Sequence, residues 1–94
     1  MATTITLSND NDSVESIPQN GKVKFTNNTS DTDFTLTSGF FKSKDSGGSW
    51  VAISSINIPQ STTSEKLKVT ASSGTVGTIS GGDPDPDFAT ITVT

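Results

Sequence analysis

Apolar residues in this chain recur at every second position, not every third or fourth. Ile5 and Leu7 alternate with Thr4, Thr6 and Ser8; Val23 and Phe25 with Lys22, Lys24 and Thr26; Phe34 and Leu36 with Thr35 and Thr37. Val51 and Ile53 follow Trp50, Ile56 and Ile58 lead to Pro59, and Leu67 and Val69 alternate with Lys66, Lys68 and Thr70. A weaker run holds Val76 and Ile79, and Ala89, Ile91 and Val93 form the last. Successive side chains of a strand point to opposite faces, so each run presents one apolar row and one polar row.

Turn-forming residues separate the runs at Asn9 to Asp12, Asn20-Gly21, Asn27 to Asp33, Asp45 to Gly48, Pro59 to Ser64, Ser72 to Gly74 and Gly81 to Asp87. Short strands at this spacing predict an all-β fold. The expected architecture is one antiparallel Greek-key β-sandwich of seven to eight strands over residues 1–94. Only 29% of residues are hydrophobic, and serine and threonine supply about a third. Disorder usually joins low hydrophobicity to strong net charge, and here the net charge is only −4. The core is therefore expected to be thin, built from single inward rows and held without disulfides, since cysteine is absent.

Histidine, tyrosine and arginine are absent as well. The chain thus lacks the usual acid–base group at neutral pH, the soft-metal thiolate and the bidentate anion clamp. Glu15 and Glu65 are the only glutamates, and no spacing places them together as a hydrolytic pair. No phosphate loop, zinc spacing or nucleophile elbow is present. The reading is of a non-enzyme.

The acidic balance disfavours nucleic acid and anionic membrane as partners. No apolar run reaches membrane-spanning length, so no membrane insertion is expected. The first residues lack a signal-peptide pattern, which makes cytoplasmic the default, although a processed secreted chain would read the same. Asn11, Asn27 and Asn28 fall in glycosylation triplets, common by chance in a chain of this composition.

The stretch from Ile17-Pro18 through Asn20-Gly21 to Lys22-Val23-Lys24-Phe25-Thr26-Asn27 resembles the second-strand region of cupredoxin-like domains, and Phe88 to Val93 resembles their closing strand. Immunoglobulin-like domains produce similar patterns. The resemblance implies a sandwich fold but not electron transfer. Copper-binding members place histidine beyond the Asn and a Cys-His-Met cluster before the last strand, where this chain has Asp33-Phe34 and Gly81 to Asp87.

Three groups of residues are candidates for binding. The six lysines form pairs two apart: Lys22 and Lys24, Lys42 and Lys44, Lys66 and Lys68. Each pair would share a strand face, with Val23 and Leu67 turned inward. Solubility and edge protection explain such pairs. A basic stripe for an acidic glycan or protein would require two of these strands to be neighbours in one sheet.

Eight of the ten acidic residues are aspartates in expected loops. If alternate loops share an end, Asp31 and Asp33 would join Asp83, Asp85 and Asp87, offering hard oxygen ligands to calcium, with Asp10, Asp12 and Asp45 at the other end. Aspartate also simply favours turns.

Among aromatic residues, Phe40 and Phe41 are adjacent, so a strand would turn one outward, and Phe88 is out of phase with Ile91 and Val93 unless a bulge intervenes. Trp50 is expected in the core. If exposed, Trp50 or Phe41 could stack on a sugar or anchor a partner. Threonine ladders such as Thr90, Thr92 and Thr94 suit any solvated strand, ice-binding faces included.

Together these features describe a non-catalytic binding or assembly module with a protein or carbohydrate partner. The alternative is a calcium-assisted carbohydrate-binding domain, and a third reading is a self-associating subunit.

Overall fold

The computed structural model describes residues 2–9, 12–81 and 87–94. Among them the regular structure is strand throughout: β1 (Ala2–Ser8), β2 (Ser13–Ile17), β3 (Lys22–Asn28), β4 (Asp33–Leu36), β5 (Phe41–Lys44), β6 (Trp50–Ile53), β7 (Ser55–Asn57), β8 (Leu67–Val69), β9 (Val76–Ser80) and β10 (Asp87–Val93). They form two five-stranded sheets, ordered β1-β3-β8-β5-β6 and β2-β10-β9-β4-β7. The fold is a two-sheet, sandwich-like one.

The sheets are mixed, which corrects the expectation of purely antiparallel pairing. β1 runs parallel to β3, and β2 parallel to β10. The cause is the early crossing. The chain leaves the first sheet after β1, places β2 in the second and returns for β3, so β1 and β3 point the same way. All other ladders are antiparallel.

The inward rows meet in one core. Phe25, Phe41, Val23, Leu67 and Val69 come from the first sheet, and Phe34, Leu36, Ile79, Phe88, Ile91 and Val93 from the second. Phe25 meets Phe41, and Phe34 meets Phe88, in edge-to-face contacts with ring centroids 6.0 and 5.8 Å apart. Each such ring, fully buried, contributes about 1.5–3 kcal/mol by leaving water. Phe88 reaches the core through a register shift between Asp87 and Ala89, the bulge its phase required.

Consecutive strands alternate in direction throughout. The described connections leaving odd-numbered strands therefore lie at one end of the sandwich. Asp12, Asp31, Asp45 and Glu65 sit in these connections, and Asp33 and Asp87 begin the strands that follow two of them. The described aspartates gather at a single end, including Asp12 and Asp45, which were expected opposite. The connections at the other end carry no acidic residue.

Candidate binding face on the first sheet

The strands bearing the lysine pairs are neighbours in the first sheet, the condition a basic stripe requires. Lys22 of β3 stands opposite Lys68 of β8, and Lys68 opposite Lys42 of β5. Ala2 flanks this row on β1 and Ala52 on β6. The next residues inward, Val23 and Leu67, are fully buried, which turns their lysine neighbours to the outer surface. One step further along, Lys24 stands beside Thr4 of β1, and Lys44 opposite Trp50 of β6. Lys66 sits just before β8.

Like charges directly opposite on neighbouring strands disfavour pairing by a few tenths of a kcal/mol to about 1 kcal/mol. This face carries two such pairs in one row. Trp50 offsets part of the cost. The Nζ atoms of Lys22, Lys44 and Lys68 lie 5.9, 5.6 and 5.6 Å from its ring centroid. An ammonium over an indole face gains roughly 0.5–1 kcal/mol at an exposed site. Lys22, Lys44, Trp50, Glu65 and Lys66 line an open depression of about 330 Å³.

Trp50 is thus half-exposed on the outer face, not in the core as expected. Its pairing with Lys44 fixes its direction, because residues paired across a ladder share a face. Phe41 requires the opposite correction. It is fully buried against Phe25 and Phe40, so its ring is not available for stacking on a sugar. Phe40 is buried too. It lies in the turn before β5, where strand alternation does not apply, and Gly77 of β9 leaves room for its ring.

Most of the described aspartates are engaged in local structure. Asp33 Oδ1 accepts a hydrogen bond from Asn57 Nδ2 at 2.8 Å, and Asp12 Oδ1 one from Thr90 Oγ1 at 3.2 Å. Asp45 Oδ1 accepts from the N–H groups of Gly47 and Ser49, both at 2.9 Å, and so closes the β5–β6 turn. The backbone carbonyl of Asp31 accepts from Asn27 Nδ2. Among the described residues no group of three or more carboxylates is placed to hold a metal ion. Of the expected calcium ligands, Asp31, Asp33 and Asp87 lie at the same end, whereas Asp83 and Asp85 lie outside the described residues.

Sequence reasoning gave Asn27 no structural role beyond the resemblance. It is fully buried and uses both ends of its amide. Its Nδ2 donates to the carbonyls of Asp31 and Ile58, each at 2.7 Å, and its Oδ1 accepts from Thr29 N–H and Oγ1 at 2.9 and 2.7 Å. That commitment removes Asn27 as a glycan acceptor. Asn28 beside it is exposed, and Asn11 lies outside the described residues.

No protein-family model matches this chain, and no curated protein matches its sequence.

Proposed function

We propose that this protein is a non-catalytic binding module whose contact surface is the outer face of the first sheet, and that its partner is anionic. The observation that carries the reading is the Lys22, Lys68, Lys42 row, three like charges in direct register across adjacent strands. A fold that needed lysines only for solubility could scatter them. Here an anion laid on the row would relieve repulsion that folding leaves in place. The absence of histidine, cysteine, tyrosine and arginine supports the non-catalytic part of the reading. The scaffold behind the face we read as a Greek-key sandwich of the cupredoxin-like or immunoglobulin-like kind, supported by the two five-stranded sheets and the single apolar core between them.

Ion-exchange chromatography tests the reading. With a net charge of −4 and a pI near 4.3, the protein as a whole is repelled by an anionic resin at pH 7. The concentrated face predicts retention on that resin at low salt nonetheless, and release as salt screens the row. A variant with Lys22, Lys42 and Lys68 all changed to Gln is expected to flow through. Wild-type protein that also flows through would refute the reading.

A further inference from the structure

Three of the six lysines converge on one side chain. Trp50 lies on the edge strand β6, and Lys22 on β3, three strand positions away in the order β3-β8-β5-β6. Three strand spacings hold the two backbones about 14 Å apart. Their side chains nonetheless meet, with Lys22 Nζ 5.9 Å from the indole centroid. The Nζ atoms of Lys44 and Lys68 reach the same ring from β5 and β8, both at 5.6 Å. The indole thus lies across the sheet surface and gathers ammonium groups from three strands. Among the described residues, Lys24 and Lys42 share the face without joining this group.

Lys22, Lys44 and Trp50 also line the open depression of about 330 Å³, together with Lys66 and Glu65. With Lys68 at the ring, four ammonium groups stand there against one carboxylate, in a chain whose net charge is −4. Like charges gathered in this way repel one another until an anion stands among them.

We infer that the depression binds the phosphoryl group of a phosphate monoester, held among Lys22, Lys44 and Lys68 beside Trp50. This rests on the anion-binding reading above and names the ligand class. A phosphate monoester carries about 1.5 to 2 negative charges and three strong acceptor oxygens on one centre at pH 7. Three ammonium groups collected round one ring match it in count and in compactness. A carboxylate offers a single charge on two oxygens, and carboxylates strung along a chain call for cations spread over the face. Small-molecule sites run from about 300 to 1,000 Å³, so this depression takes a head group and leaves the rest of the ligand outside. A free ester and a phosphorylated side chain present it with the same chemistry.

Calorimetry in moderate salt tests the inference, with glycerol 2-phosphate, a short peptide bearing one phosphoserine, the same peptide unphosphorylated, and succinate as probes. Succinate carries two charges on two separate centres. Glycerol 2-phosphate is expected to bind at least about tenfold more tightly than succinate, the ratio given by one well-placed charge-assisted contact. The unphosphorylated peptide is expected not to bind. Trp50 is the only tryptophan and tyrosine is absent, so intrinsic fluorescence should change as the ester binds. Lys44→Gln should weaken binding about tenfold by the same estimate, Lys42→Gln should change it little, and Glu65→Gln should strengthen it. Trp50→Leu should weaken it several-fold while leaving retention on the anionic resin unchanged, because the ring gathers the cations and carries no charge. Thermal melts of each variant establish that it is folded. Equal affinity for the ester and the phosphopeptide supports a small free ligand, and tighter binding of the phosphopeptide supports a protein-borne one.

Succinate binding as tightly as glycerol 2-phosphate would overturn the phosphoryl assignment and leave the anionic face standing. Lys42→Gln as damaging as Lys44→Gln would overturn the placement at Trp50. Retention on the anionic resin with no binding of either phosphate ester would overturn the inference alone. Loss of both would overturn it together with the reading beneath it.

Discussion

Lys42 and Lys68 face each other directly across the β5–β8 ladder, and Lys68 faces Lys22 on its other side. The middle lysine therefore meets like charge from both neighbours. Removing one flank should relieve the row. Lys42→Thr also introduces a good strand former and leaves the three ammonium contacts to Trp50 intact. It is expected to raise stability by about 0.2–1 kcal/mol at low ionic strength. The gain should shrink in 1 M salt, as charge interactions are screened. Urea melts at both salt concentrations measure it.

Asn27 ties the β3–β4 connection to the segment at Ile58. Asn27→Ala leaves the carbonyls of Asp31 and Ile58 without that donor and the Thr29 N–H without that acceptor. The expected loss is about 2–4 kcal/mol, from unsatisfied polar groups at a buried site. Denaturant unfolding gives the value, and hydrogen exchange should show the damage centred on residues 27–31 and 58.

Phe40 depends on a neighbour with no side chain. A methyl group at Gly77 would overlap the Phe40 ring, which is buried and cannot swing out without opening the core. Gly77→Ala is expected to cost about 1–3 kcal/mol through overpacking. The double variant Gly77→Ala with Phe40→Leu should cost less than the sum of the two single changes, because the smaller side chain removes the overlap. A double-mutant cycle tests the coupling.

Ser61 holds φ at 63°, in the left-handed region, while its N–H donates to the Asn27 carbonyl at 2.7 Å. Glycine adopts that backbone without the Cβ penalty. Ser61→Gly is expected to be neutral or stabilising, by up to about 1 kcal/mol, and Ser61→Val clearly destabilising. Parallel thermal melts of the two variants check the sign.

The strands most legible in the sequence are those whose inward residues are apolar without exception, as in Val23 and Phe25 of β3 or Phe34 and Leu36 of β4. β2 was hidden because its pattern is inverted. Val14 is 72% exposed while Glu15 beside it is half-buried. Val76 misled in the same way: it is 52% exposed on β9, and Gly77, which carries no hydropathy signal, faces the core. The lysine spacing revealed that each pair shares a face, but sheet order is long-range information that periodicity does not carry. Trp50 was recoverable in principle. The turn from Asp45 to Ser49 places it opposite Lys44, and a lysine pair that points outward takes its hairpin partner with it.

An even number of strands, each reversing the one before, brings the chain back to the end from which it set out. Ala2 and Thr94 both stand at the acid-free end, where Thr94 N–H donates to the Ile17 carbonyl at 3.0 Å. A tether at Thr94 leaves from the second sheet, away from the lysine row, whereas one at Ala2 leaves beside it. Two copies joined by a short linker would therefore be tethered through their acid-free ends, the ends at which the lysine row lies. A partner with two anionic groups could then engage both, and the tether would set its avidity through effective concentration without adding a contact.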